Sequence, residues 1–273
     1  MSAVEILLVV WGLAALGMGG AFVYARARRN VGYVDVFWAL GMALAAALVA
    51  LLAGGDPLVR ILVAAFGGLW GLRLFRFLWH RVGGEAEDGR YRAMREAIGD
   101  GAWRWFAFFQ LQAFVIALFS LPFVAAASAP GGFASGGVWI AIAVWLLAVG
   151  GESLADRQLL AHRRDPAQRG RTCRSGLWAW SRHPNYFFEW LHWFAYVALA
   201  AAGPLWWLAW AGPLLMLAFL WRVSGIPWTE AQALRTRGED YRRYQAEVSA
   251  FFPWPPVRRA AGPATHRTAR NDP

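Results

Sequence analysis

Apolar residues form seven long runs separated by short polar breaks, and most of these runs approach the length that a membrane crossing requires. A helix needs about 20 predominantly apolar residues to cross the hydrocarbon core of a bilayer. The pattern therefore predicts an all-α membrane protein, a bundle of about seven transmembrane helices. The predicted spans are residues 4–24, 34–53, 58–79, 103–126, 138–154, 186–202 and 205–223.

The breaks between these runs alternate in charge. Those at 54–57, 128–137 and 203–204 carry almost no charge, whereas the other breaks and the segment after residue 223 are rich in arginine. Because segments rich in positive charge remain in the cytoplasm, the alternation predicts an external N-terminus and a cytoplasmic C-terminus. We expect a multi-pass protein of a bacterial inner membrane, in contact with the lipid bilayer.

The composition agrees with this picture. Hydrophobic residues make up 58% and charged residues 16% of the 273 residues, with a mean hydropathy of +0.35, whereas soluble domains carry about 25% charged residues. The single cysteine, Cys173, excludes an intrachain disulfide and zinc sites built on cysteine pairs. The net charge is +10, but topology accounts for the arginines and no recognition module is present, so a nucleic-acid partner is not expected.

We predict one domain over residues 1–256 and a disordered basic tail over 257–273. Within the domain, residues 227–250 mix charged and apolar positions, which suggests a short cytoplasmic helix. The prolines that follow, up to residue 256, cannot continue a helix.

The densest group of polar residues inside a predicted span lies in the sixth. Asn185, Glu189, His192 and Tyr196 follow each other at steps of four, three and four residues, so they form one stripe on a helix. Ionisable residues within a membrane are costly and point to function. We expect the stripe to face the interior, with a nearby arginine as the partner of Glu189, although a helix-pinning ion pair is the simpler alternative.

Three further polar features lie near the arginine-rich side. Asp35 begins the second span and Arg73 lies late in the third, so the two could pair with each other. Residues 87–91 are compact and charged, which is typical of either a solvated loop or a gate over a cavity.

Residues 176–193, with Ser-Arg-His-Pro-Asn-Tyr followed by Glu189, resemble the C-terminal domain of the steroid 5α-reductase family. The ending from Glu239 through Pro253 resembles it as well, and the similarity is strongest over about 137–256. Within that family, the chain resembles an uncharacterised bacterial branch.

This resemblance implies an integral membrane oxidoreductase that binds NADPH and reduces an activated C=C bond of a lipophilic, steroid- or lipid-like substrate by hydride transfer. Steroid-reducing members carry a Gln-Glu pair on the second helix and a tyrosine on the third, where this chain has Asp35 and Trp70. We therefore expect Asp35 or Tyr91 to supply the catalytic donor. The expected cofactor-binding residues are Arg73, Asp156, Arg163, Arg182, His183, Asn185, Tyr186, Glu189, Trp193 and Tyr241.

Two other functions fit the same residues. Membrane methyltransferases that use S-adenosylmethionine have a similar Arg-His-Pro-x-Tyr segment followed by a glutamate, although usually with two adjacent acids. A non-enzymatic, lipid-binding membrane protein is the third possibility, in which the polar stripe only pins helices.

Overall fold

The computed structural model describes residues 1–84, 87–132, 136–223 and 225–257, and within these ranges it contains helices and no strand. Six stretches are long and apolar enough to cross a membrane, so the chain is an all-α membrane bundle, as predicted. These stretches are Ala3–Ala27 (α1), Tyr33–Leu52 (α2), Pro57–Gly84 (α3), Ala102–Ala127, Gly136–Arg164 and Trp206–Arg237.

Shorter helices subdivide or connect these stretches. Gly89–Ile98 (α4) follows α3, and the fourth stretch consists of Ala102–Phe119 (α5) and Leu121–Ala127 (α6). Gly136–Arg164 is α7. The remaining helices are Pro184–His192 (α8), Phe194–Ala200 (α9), Trp206–Ala209 (α10), Ala211–Ala218 (α11), Ile226–Arg237 (α12) and Glu239–Glu247 (α13), with a π-helical turn at Phe219–Val223.

The sixth predicted span is divided into two helices, as the fourth is at Ser120 and the seventh at Trp210, and it is not among the six candidate spans. Helix α8 has 9 residues and α9 has 7, so neither is long enough to cross a membrane alone. The break lies at Trp193, whose N–H donates to the carbonyl of Trp190 three residues earlier, at 3.3 Å, and so tightens the turn. Six long stretches and one interrupted pair therefore stand where seven spans were predicted.

The outer surface of the bundle is apolar. Leu16 and Trp103 are each 75% exposed, and Leu51 is 74% exposed. Exposed apolar residues in such numbers suit contact with lipid tails rather than water.

Helices α2 and α3 approach closely because glycines line their seam. A Cβ at Gly71 would lie 2.9 Å from the Ala39 carbonyl oxygen, and one at Gly67 would lie 2.4 Å from the Ala46 Cβ. Helices α3 and α7, by contrast, touch at only a few positions, while α7 packs extensively on α8 and α9. The α2–α3 and α7–α9 groups thus meet at a seam that side chains bridge, with Trp145 of α7 stacked on Phe66 of α3 at 4.9 Å.

The predicted cytoplasmic helix over 227–250 is found as two helices, α12 and α13. Gly238 separates them with φ of +50°, a conformation that glycine adopts at little cost. No regular helix follows α13 in the described residues up to 257, as expected from the prolines there.

Candidate functional site

A group of charged side chains bridges the seam between α3 and α7. Arg73 of α3 contacts Glu152 and Asp156, which lie one turn apart on α7, at 2.6 Å each. The amide of Asn185, in the first turn of α8, donates to the second carboxylate oxygen of Asp156 at 3.4 Å. We call Arg73, Glu152, Asp156, Asn185 and Glu189 the carboxylate cluster.

Glu189 is the unpaired member of this cluster. In the part of the chain that the structure describes, its side chain makes no hydrogen bond and no ion pair, yet it lies within electrostatic range of Glu152, Asp156 and Arg73. The expectation that an arginine would pair with Glu189 is therefore wrong. The reason is that both α7 carboxylates already occupy the guanidinium group of Arg73.

The cluster holds three carboxylates against one guanidinium group, which is an unfavourable balance inside a membrane bundle. The side chains of Arg73 and Asp156 remain 25% and 26% exposed, so the cluster borders open space. The atoms of the cluster that are still free to form hydrogen bonds are mostly acceptors, the carboxylate oxygens. Such a site suits a ligand that donates hydrogen bonds or carries positive charge.

A buried aromatic layer lies one turn further along the helices from this cluster. Trp70 stacks on His192 with ring centroids 4.5 Å apart, and Tyr196 lies edge-on to His192 at 5.6 Å. The Nδ1–H of His192 donates to the carbonyl oxygen of Glu189 at 2.9 Å, which leaves Nε2 as an acceptor. The prediction that the polar stripe faces the interior is thus confirmed.

Unpartnered polar atoms concentrate in this part of the bundle. Among the described residues, seven buried side-chain nitrogen and oxygen atoms lack a hydrogen bond, and six of them lie in the cluster or the aromatic layer. Buried polar atoms are normally satisfied, so this concentration marks a region not built for stability alone. The six belong to Trp38, Trp70, Glu152, His192, Trp193 and Tyr196.

The two residues expected to be catalytic lie in direct contact. The Tyr91 phenol donates to the Asp35 carboxylate at 2.8 Å, and Arg90 contacts the other oxygen of Asp35 at 3.0 Å. Burial raises the pKa of the Tyr91 phenol well above its usual range, and the adjacent Asp35 carboxylate raises it further. The phenol therefore keeps its proton at neutral pH. The suggested Arg73–Asp35 pair does not form, because each residue has partners of its own.

Residues 87–91 form a folded segment rather than a freely solvated loop. Glu87 accepts from the backbone N–H of Val31 at 2.8 Å, and Asp88 caps α4 by accepting from the N–H of Arg90 at 2.9 Å. Tyr91 is only 4% exposed. These contacts fix the Asp35–Arg90–Tyr91 trio against the start of α2.

Tyr186 lies between the carboxylate cluster and the Asp35 trio. Its ring stacks on His183 with centroids 5.3 Å apart, and its hydroxyl contacts that of Thr229 at 3.1 Å. It also lies within electrostatic range of both Glu189 and Arg90. The carboxylate cluster and the Asp35 trio thus approach each other across the seam.

Three other residues that were predicted to bind the cofactor lie around Glu230 of α12 instead. They are Arg182, His183 and Tyr241. Glu230 is contacted by Arg182 at 2.7 Å, by His183 at 3.3 Å and by Tyr241 at 3.5 Å. Gln245 donates to its second oxygen at 2.7 Å. Burial lowers the pKa of His183, although Glu230 acts in the opposite direction. We call these five residues the Glu230 cluster, and it fastens α12 and α13 to the loop before α8.

The last two residues that were predicted to bind the cofactor, Arg163 and Trp193, lie apart from each other. Arg163 is exposed near the end of α7, within electrostatic range of Asp156 and Arg237. Trp193 is fully buried and stacks on Phe123 with ring centroids 5.7 Å apart. Its ring lies within the core rather than beside the carboxylates.

Three residues of the site were missed by sequence reasoning. Glu152 precedes Asp156 by four residues and so shares its helix face, a signal that the spacing offered. Arg90 adjoins Tyr91, and its position in a charged loop gave no sign of a contact with Asp35. Arg237 lies in α12 with its guanidinium group over the ring of Tyr241, 4.9 Å from the centroid.

Residues 21–248 match the model of a family described as a protein of unknown function, DUF1295. The chain belongs to this family. The match covers most of the chain, including the carboxylate cluster, the Asp35 trio and the Glu230 cluster of this DUF1295 member. No curated protein and no solved structure shows significant similarity to it.

Proposed function

We propose that this protein is a membrane-embedded, NADPH-dependent reductase that transfers hydride to an activated C=C bond of a lipophilic substrate. DUF1295 is related to steroid 5α-reductase-like proteins, which agrees with the resemblance of the segment before and within α8. The observation that carries the proposal is the unpaired Glu189, which lies beside Asp156 and Asn185 at the seam of the bundle.

The groups of this site suit the nicotinamide half of the cofactor. A nicotinamide carboxamide and the ribose hydroxyls donate hydrogen bonds, and carboxylates such as Glu189 and Asp156 accept them strongly. Asn185 adds both a donor and an acceptor. The low dielectric of a membrane bundle strengthens each of these contacts.

The phosphate half has candidates nearer the end of α7. Arg163 and Arg237 lie within electrostatic range of each other, and neither makes an ion pair or a side-chain hydrogen bond within the described ranges. Two guanidinium groups that repel each other and make no ion pair suit a bound anion such as a 2′-phosphate or pyrophosphate. The distribution of charge along α7, acidic in the bundle and basic at its end, matches the two halves of the dinucleotide.

On the substrate side, the Asp35 trio has the groups to stabilise negative charge. Arg90 is 23% exposed and supplies a permanent positive charge. The Tyr91 phenol donates its one proton to Asp35 in this structure, so it becomes a donor to the substrate by turning that hydrogen bond away from the carboxylate. In the proposed reaction these groups stabilise the oxygen of an enone-like substrate as charge develops on it. The cofactor supplies the hydride, while Asp35 holds Arg90 and Tyr91 in place and the aromatic layer excludes water.

A cofactor titration tests the proposal. The protein is reconstituted in lipid nanodiscs, and energy transfer from its tryptophans to bound nicotinamide is followed as NADPH is added. We expect micromolar NADPH affinity, at least tenfold tighter than that for NADH. A Glu189→Gln variant should bind NADPH more weakly, whereas the exposed Arg157→Gln on α7 serves as a matched control and should bind as the unaltered protein does.

The excess of carboxylates favours one second candidate, an S-adenosylmethionine-dependent methyltransferase. A cationic sulfonium and ammonium would compensate Glu152, Asp156 and Glu189 directly. Tight S-adenosylmethionine binding together with no NADPH binding in the same nanodiscs would establish this function and exclude the reductase.

A non-enzymatic membrane protein makes a different prediction. If the carboxylate cluster only pins helices, the Asn185→Ala and Glu189→Gln variants should differ from the unaltered protein in thermal stability. Neither the variants nor the unaltered protein should then bind a nucleotide. Retained NADP in protein purified in detergent, measured by mass spectrometry, argues against that reading.

A further inference from the structure

A second recess lies where the end of α1 meets the start of α5, apart from the carboxylate cluster. Its volume is about 450 Å³, and none of its lining residues belongs to the carboxylate cluster, the Asp35 trio or the Glu230 cluster, although Glu87 and Val31 also help to hold the 87–91 segment in place. The wall residues are of two kinds, charged and aromatic. Those on which the argument rests are Phe22, Arg26, Arg29, Glu87, Arg95 and Phe109.

The acidic residues of this recess face Arg95 rather than the arginines of α1. Glu87 accepts from the Val31 N–H at 2.8 Å and from Arg95 at 2.9 Å. Asp100 also pairs with Arg95. Within the described residues, neither carboxylate contacts Arg26 or Arg29, and the three arginines of the wall outnumber its two carboxylates.

Arg26 and Arg29 are the unsatisfied charges. Both are exposed, and neither side chain has a carboxylate partner or a hydrogen bond within the described residues. Arg29 has φ of +52°, a conformation that usually falls to glycine or asparagine at the end of a helix. The side chain of Arg29 lies on the rim of the recess.

The surroundings are those of a membrane interface. Helix α1 is a candidate span that ends at Ala27, so Arg26 and Arg29 lie at the level expected for lipid headgroups. The rings of Phe22 and Phe109 lie edge-on at 5.7 Å, and the neighbouring Trp103 is 75% exposed. Tryptophan at such a level is typical of membrane-interface anchors.

We propose that this recess binds the headgroup of an anionic phospholipid. The phosphate lies between Arg26 and Arg29, and the glycerol backbone packs on Phe22 while the acyl chains remain in the bilayer beside α1 and α5. The apolar walls and the interfacial position favour a lipid over a free phosphate ion. This site is independent of the proposed reductase activity.

Arg28 provides a matched control on the same helix end. It is exposed and carries the same charge, and its guanidinium group lies over Tyr24, 5.3 Å from the ring centroid, much as that of Arg26 lies over Phe22 at 5.9 Å. Unlike Arg26 and Arg29, however, Arg28 does not line the recess. General electrostatic attraction to an anionic membrane would depend on all three arginines equally, whereas a built site depends on two of them.

The test compares phosphatidylglycerol with phosphatidylcholine. Delipidated protein in detergent is titrated with each lipid, and the bound lipid is counted by native mass spectrometry. We expect phosphatidylglycerol to be retained and phosphatidylcholine not. The double variant R26Q/R29Q should bind phosphatidylglycerol about 30-fold more weakly, while R28Q binds as the unaltered protein does.

Three results would overturn the proposal. These are equal retention of the two lipids, equal loss in R28Q and in R26Q/R29Q, or displacement of the lipid by millimolar sn-glycerol 3-phosphate, which would indicate a soluble phosphate site. Should the double variant fail to purify, R26Q and R29Q alone each serve as the test, and each should weaken binding about fivefold.

Discussion

The Glu230 cluster and the carboxylate cluster use the same kinds of residue in opposite ways. Around Glu230, one carboxylate receives contacts from Arg182, His183, Tyr241 and Gln245, so its negative charge is fully satisfied. Around Arg73, one guanidinium group serves two carboxylates, while Glu189 has no donor among the described residues. The first arrangement stabilises a fold, and the second leaves bonding capacity for a ligand.

The comparison shows why residue type and position in a motif do not fix a role. Arg182 and His183 belong to the same short segment as Asn185, and all were expected to bind cofactor. In the structure Arg182 and His183 face α12 and α13, whereas Asn185 faces α7. The turn at Pro184, where α8 begins, separates a structural half of the motif from a half that borders the seam.

The largest effect on stability is expected in the structural half of the motif, which contains Arg182 and His183. Arg182→Ala leaves Glu230 partly buried without its main partner, and loss of one member of such a pair costs about 3–5 kcal/mol. We expect a marked fall in the thermal midpoint in detergent, measured by tryptophan fluorescence. Arg163→Ala, on the exposed end of α7, should change stability by less than about 0.5 kcal/mol. Equal stability of the two variants would contradict the structural role.

Glu189→Gln tests the half of the motif that borders the seam. It should raise stability, whereas Arg182→Ala should lower it. It removes a carboxylate that is repelled by Glu152 and Asp156, so the thermal midpoint should rise by about 2–4 °C. NADPH binding should weaken about 10- to 100-fold, because a hydrogen bond to a charged acceptor is lost. A lower midpoint with unchanged affinity would assign Glu189 to the fold instead.

Arg237→Gln sharpens the assignment of the phosphate half. We expect NADPH affinity to fall about tenfold while NADH affinity changes little, since only NADPH carries the 2′-phosphate. Arg235→Gln in the same helix is the control. A parallel loss for both nucleotides would indicate contact with the pyrophosphate or general attraction rather than recognition of the 2′-phosphate.

Tyr91→Phe tests the Asp35 trio, once a substrate is in hand, and should lower the turnover rate about 10- to 100-fold. Burial and Asp35 both favour the protonated phenol, so its pKa lies above the usual 10.0. The rate of the unaltered enzyme should therefore not fall between pH 7 and 9.5 through loss of this proton. A decline within that window that disappears in Tyr91→Phe would show a phenol with a lower pKa.

The fold class followed from the sequence because hydropathy and helix length are local properties. Runs of apolar residues near membrane length predicted the bundle, and the six stretches begin close to the predicted residues. Three of them extend past the predicted ends at 79, 154 and 223, to Gly84, Arg164 and Arg237. The division at Trp193 was not predicted, because a single tightened turn at a residue that keeps helical backbone angles leaves no signal in the sequence. The N-out topology, the reductase activity and the cofactor remain predictions.

The sequence by itself determined that this is a helical membrane protein and that the face bearing Asn185, Glu189, His192 and Tyr196 points inward, because hydropathy and the helical repeat are read along one chain. Only the tertiary structure decided which charges pair. Arg73 joins Glu152 and Asp156, Asp35 joins Arg90 and Tyr91, and Glu189 is left without a donor. An ion pair depends on distances between helices that are far apart in sequence, and no local pattern encodes those distances.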